Sequence, residues 1–297
     1  MDGMELHLLS ARPGLEVNRR LQEEARRLDA DLVVVDATRA VAVAEGGADV
    51  RLDGASLLRE NPGAVLARVG NWRPESTLAL LESYVRGGVP TPNGPDATRV
   101  ARDHWRTVRA LADAGLPVPA TVAGSDPEAL AAEAAPALGF PLVVKQRRSR
   151  MGVGVIRCDA RDHLEAVVDS LWRMGDELVV QRWVETGGVS LRALVVGGRV
   201  VAGARYRAAP GEWRSNAARG GTVEPWDPGG RDAELALAAA ESLGLGVCGV
   251  DLLPGPEGMV VGEVNPTPGF RHLESATGAG VAGAVVDLLV ELARAGR

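Results

Sequence analysis

The chain has 297 residues, a length that allows about two domains, or three small ones, with substantial hydrophobic cores. Its 46% hydrophobic and 24% charged residues are typical of a soluble globular protein, and the net charge of −6 argues against general nucleic-acid binding. No apolar run reaches the length of a membrane span, and the amino-terminal residues lack the pattern of a signal peptide. The two cysteines, Cys158 and Cys248, are too few for a disulfide framework and are expected to be buried thiols. We therefore expect a cytoplasmic protein with no nucleic-acid partner and no membrane partner.

Residues 1–94 alternate between apolar runs and amphipathic segments. The alternation of strands and helices predicts a small open α/β domain. The predicted strands are 4–9, 31–35, 64–69 and, more weakly, 52–58, and the predicted helices are 14–28 and 75–86. Arg68 lies where a predicted strand ends in a loop, which is the edge at which such sheets bind ligands. An anion contact and an ordinary surface arginine are equally good interpretations of Arg68.

Within residues 95–184, two strands that enclose a glycine turn, a helix and a further strand predict a compact α+β unit of about 70 residues. The predicted elements are helices over 97–114, 127–138 and 159–174 and strands over 141–145 and 178–184. Asp126 precedes a proline at the start of the second helix, which is typical of a helix cap. The first strand ends in Lys145, and a short turn that contains Gly152 and Gly154 follows it.

Residues 185–297 begin with a predicted hairpin and end with an amphipathic helix. A polar, glycine-rich loop over 211–221 separates the two. The predicted elements are strands over 191–196, 200–207, 247–253 and 259–264 and helices over 231–243 and 281–294.

The last predicted hairpin, over 247–264, carries the clearest chemical signal. When the hairpin is folded about its proline- and glycine-rich loop, Asp251 lies opposite Glu263, and Asn265 follows two residues later. Because side chains alternate between the faces of a strand, all three oxygen-bearing groups project from one side. Two carboxylates and an amide carbonyl suit a hard cation such as Mg²⁺ better than zinc. The alternative is a half-exposed hairpin with polar residues on its solvated face.

Several groups elsewhere suit phosphate binding. Lys145 offers a point charge, and the backbone amides at Gly152 and Gly154 can approach a phosphate closely, although an ordinary hairpin turn explains the glycines as well. Arg214 and Arg219 lie in the polar loop and could hold phosphate or stabilise charge that develops during a reaction, or the loop is simply solvated. No Walker sequence occurs, which argues against a P-loop ATPase. A metal, a lysine and arginines together are typical of phosphoryl transfer.

A set of motifs makes the pattern specific. In chain order they are ARVGN, VARDHWRTVRALADAGLPVPAT, PLVVK, GVGV, LVVQRWV, LRALVVGGRVVAG, GEWRSNAARGG, CGVDLL and GEVNPTPG. Over nearly its whole length the chain resembles the RimK-type glutamate ligases of the ATP-grasp superfamily. The resemblance implies an ATP-grasp fold of mixed α/β and α+β class. It also implies a Rossmann-like pre-ATP-grasp domain over 1–94, a central lid domain with a linker helix over 95–184 and a mixed-sheet metal and nucleotide domain over 185–297.

The resemblance also implies roles for individual residues, with ATP clasped between the central lid and the carboxy-terminal sheet. Arg214, Asn216 and Arg192 are the candidate catalytic residues. Asp251, Glu263 and Asn265 are expected to hold two Mg²⁺ ions, or Mn²⁺ in some relatives. The candidate nucleotide-binding residues are Lys145, Gly152, Gly154, Gln181, Arg182, Trp183, Val184, Ser190, Arg214, Ser215, Asn216 and His104.

The chain departs from the family pattern at several of these positions. His104 stands where the relatives carry a phosphate-binding lysine, Arg182 replaces a glutamate, and Ser190 replaces an aspartate that reaches the ribose. The lid turn is basic, with Arg147, Arg148 and Arg150. These arginines either compensate for the missing lysine or select an acidic second substrate.

The implied reaction joins a carboxylate to an amine. A substrate carboxylate attacks the γ-phosphate of ATP to give an acylphosphate, and an amine then displaces phosphate. We expect a ligase that adds glutamate or another amino acid to a carboxylate acceptor, which is a small molecule, a peptide or a protein carboxy terminus. The departures favour an acceptor other than a ribosomal protein. A small-molecule kinase and a non-catalytic ATP-binding regulator are the alternatives, and a homo-oligomer is left open.

Overall fold

The computed structural model describes residues 4–148, 154–215 and 220–296. Its amino-terminal part is a three-layered α/β unit. Three parallel strands pair in the order β2 (Ala30–Asp36), β1 (Met4–Ser10) and β6 (Ala64–Arg68). Helix α1 (Glu16–Arg27) packs on one face of this sheet, and α2 (Pro74–Arg86) packs on the other. The α/β prediction for this region is confirmed.

A small antiparallel sheet next to α2 differs from the prediction. It consists of β3 (Val41–Val43), β4 (Asp49–Leu52) and β5 (Ala55–Ser56). The single weak strand predicted over 52–58 is therefore wrong. The chain turns at Asp53, which has φ of 51°, and at Gly54, so the apolar residues on either side belong to two short strands.

The linker contains two helices where one was predicted over 97–114. Helix α3 (Pro95–Ala101) ends before Asp103, and α4 (His104–Asp113) begins after it. Asp103 has an extended backbone, and its carboxylate accepts a hydrogen bond from the Arg106 N–H at 3.1 Å. An aspartate that caps a new helix in this way competes with continuation of the previous one. The break places His104 in the first turn of α4.

The central part has a four-stranded antiparallel sheet with two helices packed on it. The order is β7 (Thr121–Ala123), β10 (Leu178–Arg182), β8 (Leu142–Gln146) and β9 (Val155–Cys158), with helices α5 (Pro127–Leu138) and α6 (Arg161–Arg173). The side chain of Asp126 caps α5 as predicted, accepting the Ala129 N–H at 2.8 Å. Leucine and valine side chains from both helices and from β8 and β10 form one core, which Cys158 joins as a buried free thiol.

The carboxy-terminal part is a five-stranded sheet in the order β13-β12-β11-β14-β15. Its elements are β11 (Val189–Val196), β12 (Arg199–Arg207), β13 (Thr222–Pro225), α7 (Gly230–Ser242), β14 (Val247–Gly255), β15 (Gly258–Asn265), α8 (Arg271–Thr277) and α9 (Val281–Ala295). All the pairings within the described part of this sheet are antiparallel, so the expectation of a mixed sheet is corrected. The reason is that two hairpins, β11–β12 and β14–β15, build most of it.

Helix α9 connects the two ends of the fold. Its buried residues, such as Val285 and Leu289, belong to one hydrophobic cluster with Leu8 of β1 and Leu194 of β11. The amino-terminal sheet and the five-stranded sheet therefore share a core on either side of this helix. Among the described residues, no single helix is long and apolar enough to cross a membrane. Only α8 and α9 taken together reach that criterion, and they are bent by 117°.

Candidate active site

The predicted opposition of Asp251 and Glu263 is confirmed, and a β-bulge produces it. Strands β14 and β15 pair Gly255 with Gly258 and Leu252 with Val261, but Asp251 pairs with Glu263. Gly262 is the extra residue in the bulge. Without the bulge, Asp251 would face Gly262, and Glu263 would project from the opposite face of the sheet.

A side chain at the bulge would crowd the neighbouring strand. A Cβ atom added at Gly262 would lie 2.8 Å from the Leu253 side chain. The apolar face of the hairpin therefore packs tightly against the backbone that places Glu263. This packing fixes the two carboxylates on one face.

The third predicted metal ligand, Asn265, also shapes the loop that follows. Its Oδ1 atom accepts a hydrogen bond from the Thr267 N–H at 2.9 Å, which leaves one lone pair of that oxygen available. Arg68 donates to the Pro268 carbonyl from both Nη atoms at 3.3 Å, so it contacts this loop from the amino-terminal sheet. The oxygen donors of Asp251, Glu263 and Asn265 fit a hard divalent cation such as Mg²⁺.

Asn93 holds the two ends of the hairpin together. Its side chain is buried, donates to the carbonyls of Val247 at 2.7 Å and Pro266 at 2.9 Å, and accepts from the Val247 N–H at 2.9 Å. The linker thus fixes where β14 begins and where β15 ends. No motif in the sequence singles out Asn93, although an asparagine between prolines and glycine is a common turn residue.

Arg192 makes the strongest polar contact with the predicted metal ligands. On β11 it is in register with Asp251, and its Nε and Nη2 atoms donate to the two oxygens of that carboxylate at 2.5 and 2.6 Å. Burial raises the pKa of Asp251, although the Arg192 charge opposes the rise, and Glu263 adds to it. Burial would lower the pKa of Arg192, but the Asp251 carboxylate outweighs this effect and raises it.

Lys145 lies at the end of β8, as predicted, and its Nζ atom donates to Oε1 of Gln181 at 2.7 Å. Gln181 is buried on β10, and its Nε2 atom donates to the Thr121 hydroxyl at 2.9 Å. Burial lowers the pKa of Lys145, while Glu263 and Asp251 act in the opposite direction. The central and carboxy-terminal sheets therefore bring opposite charges together here.

The end of strand β10 and the two residues after it connect the central part to the carboxy-terminal part, and residues 181–184 are called the hinge below. Arg182 is bound to the central part, since its N–H donates to Ala120 at 2.8 Å and its Nε to Leu138 at 3.1 Å. Val184 packs next to Gly255, where an added Cβ would lie 2.9 Å from its Cγ1 atom. The hinge thus contacts the hairpin turn of the carboxy-terminal sheet.

An aromatic and cationic cluster joins the hinge to the polar loop. The rings of Trp183 and Trp213 meet edge to face at 5.0 Å, with Arg157 over the first ring and Arg214 over the second, each at 4.6 Å. Arg214 also donates to the Val155 carbonyl at 3.0 Å and to Glu212 at 3.3 Å. The loop therefore contacts strand β9 of the central sheet.

The remaining candidates in this loop are only partly described. The Ser215 hydroxyl donates to the Ser190 hydroxyl at 2.6 Å, which brings two predicted nucleotide-binding residues together. Gly152 and Asn216, as well as Arg150 and Arg219, lie outside the described residues. Gly154 has φ of 72°, and its missing Cβ leaves room for the Gln146 side chain.

Arg147 and Arg148, in the basic turn after Lys145, form ion pairs with the buried carboxylate of Asp103, which was not among the predicted site residues. Arg147 donates from Nε to Asp103 at 2.8 Å and contacts Glu177 at 3.3 Å, and Arg148 lies 3.6 Å from both acids. The His104 N–H donates to the Arg147 carbonyl at 2.8 Å. Asp103 thus ties the linker to the central sheet, next to His104. Its helix-capping position was the available signal.

A separate group of possible metal ligands lies in the amino-terminal sheet. Glu5, His7 and Glu60 bring their ligand atoms within 4.8 Å of one another. Both ring nitrogens of His7 have partners, Tyr84 Oη and Glu5 Oε1, each at 2.7 Å. The hydrogen bonds of His7 explain why its ring lies close to Glu5, without a metal.

Comparison with known proteins agrees with this architecture. Residues 101–289 match the model of the RimK-like ATP-grasp domain. A probable alpha-L-glutamate ligase from Thioalkalivibrio sulfidiphilus is 35% identical over 293 residues, which cover 98% of this chain and 97% of the relative. The structure of the ATP-grasp ligase PsnB complexed with a minimal precursor gives a TM-score of 0.76 at 23% identity, covering 98% and 100% of the two chains. PsnB complexed with a phosphomimetic variant of that precursor, Mg and ADP gives 0.73 at 24% identity, covering 98% and 99%.

The fold and the site therefore define a nucleotide-dependent ligase of the ATP-grasp class. The chain belongs to the RimK-like ATP-grasp family. It is an ATP-dependent carboxylate–amine ligase.

Proposed function

We propose that this ligase adds glutamate or another amino acid to the carboxylate of a small molecule, a peptide or a protein. The observation that carries the proposal is the bulged hairpin, which sets Asp251 and Glu263 on one face beside Arg192. The glutamate-ligase name of the relative from Thioalkalivibrio sulfidiphilus supports glutamate as the amino acid. The precursor bound to PsnB supports a peptide among the acceptors.

We assign the metal to Asp251, Glu263 and Asn265, which would hold two Mg²⁺ ions, with Mn²⁺ as a substitute. When bound, the ions would supply charge neutralisation for the phosphates of ATP. The carboxylates are kept on one face by the Gly262 bulge, and the Arg192 contact orients Asp251 before a metal is bound.

The nucleotide would lie between the central and carboxy-terminal sheets. Lys145 and His104 are proposed to contact phosphate from the central side, and Arg214, Ser215 and Asn216 from the polar loop. The hinge residues Gln181, Arg182, Trp183 and Val184, with Ser190, are proposed to line the nucleoside. Gly152 and Gly154 are proposed to approach the phosphates with their backbone amides. The contact of Arg214 with strand β9 supports this arrangement, because it shows that the loop reaches the central sheet.

The reaction needs positioning and charge more than a covalent nucleophile from the protein. An oxygen of the acceptor carboxylate attacks the γ-phosphorus and forms an acylphosphate as the bond to ADP breaks. The amine nitrogen of the donor then attacks the acyl carbon, inorganic phosphate leaves, and the nitrogen gives up a proton. Arg192, Arg214 and Asn216 are proposed to stabilise the negative charge on the transferred phosphate.

We also propose the three-domain division at residues 94/95 and 184/185 and a cytoplasmic location. The separate sheets of the central and carboxy-terminal parts support the division. The two free, buried cysteines support a reducing compartment.

A donor and acceptor screen tests the proposal. Purified protein is incubated with ATP, Mg²⁺, amino-acid donors and candidate carboxylates, and products are followed by mass spectrometry together with ADP and phosphate. The ligase is supported if release of ADP and phosphate requires both a carboxylate and an amine. The product must also have the summed mass of the two substrates less one water. Phosphate retained on an organic product would instead show a kinase, and nucleotide binding without any product would show a regulator.

A further inference from the structure

Asp251 forms an ion pair with Arg192. Arg192 contacts both oxygens of this carboxylate through two nitrogens, a bidentate geometry that is among the strongest ion-pair arrangements in proteins. Asp251 lies between Arg192 on one neighbouring strand and Glu263 on the other. Each oxygen of Asp251 therefore accepts one hydrogen bond from the Arg192 guanidinium.

The Arg192 side chain is held in this position by its surroundings. Its guanidinium lies 5.3 Å from the centre of the Tyr206 ring, and its Cδ atom would lie 3.6 Å from a Cβ at Gly249. Side-chain exposure is 24% for Arg192 and 18% for Asp251, so the pair is largely shielded from solvent. Water therefore competes weakly for either partner.

Arg192 occupies the position in which a metal ion would meet Asp251. Its guanidinium holds both oxygens of that carboxylate, and both side chains are largely shielded from solvent. A divalent ion that entered alone would therefore compete with Arg192 for Asp251 in a poorly solvated place. A nucleotide brings negative phosphates and gives both the ion and Arg192 a further partner.

We infer that Arg192 is the resident counter-cation of Asp251, so that the free protein binds divalent metal weakly and takes it up together with nucleotide. This inference rests on the proposed assignment of the metal to Asp251, Glu263 and Asn265. It adds to that assignment the order in which ligands are bound, and it gives Arg192 a role before any chemistry takes place.

The test measures Mn²⁺ binding by electron paramagnetic resonance, with and without a non-hydrolysable ATP analogue. Arg192→Met keeps the length of the side chain and removes its charge. In the absence of nucleotide, the variant is expected to bind Mn²⁺ at least about tenfold more tightly than the wild type, the equivalent of about 1.4 kcal/mol. The matched control is Arg205→Met. Arg205 on β12 pairs with Leu191, so its side chain projects from the face of the sheet opposite to that of Arg192, and Mn²⁺ affinity is expected to stay unchanged.

Two results would overturn the inference: equal Mn²⁺ affinity of the wild type with and without the analogue, or unchanged affinity in Arg192→Met. If Arg192→Met fails to fold, Arg192→Lys is measured instead. A lysine keeps the charge but cannot hold both oxygens, so a smaller gain in affinity is expected, and no gain would contradict the inference.

The variant Asp251→Asn separates this inference from the proposed function. It is expected to weaken Mn²⁺ binding in the presence of the analogue. If it does not, the metal assignment and the proposed function both fail. If it does, while Arg192→Met has no effect, only the role of Arg192 is refuted.

Discussion

Asn93 and Val247 exchange two hydrogen bonds across 154 residues of sequence. The side-chain amide thereby pairs with the backbone of β14 as another strand would, and it reaches Pro266 as well. Replacing Asn93 with alanine leaves these buried backbone groups without partners. We expect Asn93→Ala to lower the free energy of unfolding by about 2–4 kcal/mol. Urea denaturation measures the change, and Asn71→Ala, at an exposed loop position, is the control that should stay close to the wild type.

The bulge at Gly262 gives a second prediction. Gly262→Ala places a Cβ 2.8 Å from Leu253, so either the leucine moves or the bulge does. We expect a loss of about 1–3 kcal/mol in stability and a weaker response of activity to Mg²⁺, because Glu263 shifts relative to Asp251. Thermal unfolding and a Mg²⁺ titration of ADP release measure the two effects. Gly14→Ala, where a Cβ meets nothing within 4 Å, should change neither.

The metal assignment gives a third prediction. The double variant Asp251→Asn, Glu263→Gln preserves the size of both side chains and removes both charges. We expect turnover to fall by at least about a hundredfold, while the fold is kept. ADP release and circular dichroism check the two parts. Glu257→Gln, in the exposed turn of the same hairpin, should remain fully active. Normal turnover in the double variant would refute the assignment.

Asp103 and Arg147 give a fourth prediction. Asp103 is only 3% exposed and caps α4, and Arg147 is its nearest cation at 2.8 Å. Arg147→Met leaves the carboxylate with more distant arginines, so we expect a loss of about 1–3 kcal/mol in urea denaturation. The comparison is Arg109→Met, which breaks a pair exposed on both sides and should cost less than about 1 kcal/mol. Equal effects of the two variants would contradict a special role for Asp103.

His7 gives a prediction about pH. Burial lowers the pKa of His7 below 6.5, although Glu5 and Glu60 oppose this shift, and Tyr84 also faces the ring. Below pH 6.5 the unfolded chain binds a proton that the folded protein does not, so this group makes stability fall as pH falls. We expect the loss of stability between about pH 8 and about pH 5.5 to be smaller in His7→Gln than in the wild type. An identical loss in both proteins would rule out this role of His7.

The sequence predicted the opposition of Asp251 and Glu263 better than it predicted the backbone that produces it. Alternation along two apolar runs was enough to place Asp251 opposite Glu263. The bulge that achieves this depends on how Gly262 packs against Leu253, which is a tertiary contact. The predicted pairing of Asp251 with Glu263 was therefore correct, but the predicted hairpin lacked the bulge.

The other differences have similar causes. The helical pattern over 97–114 is continuous, because an aspartate at position 103 is compatible with a helix. The break follows from contacts that the pattern does not contain: the Asp103 carboxylate caps α4 and pairs with Arg147. The short strands β3, β7 and β13 have three or four residues each, too few for periodicity to be recognised. The charges around Asp251 could not be predicted from spacing, since Lys145 and Arg192 come from different sheets.

The position of α9 has a consequence for how the protein is made. Leu8 on the first strand and Leu289 on the last helix belong to the same cluster, although almost the whole chain separates them. On the ribosome, the strands of the parallel sheet are synthesised well before the helix that covers one of its faces. The first strands therefore expose an apolar surface until translation has passed residue 295. During that interval, the exposed surface makes the nascent chain prone to aggregation.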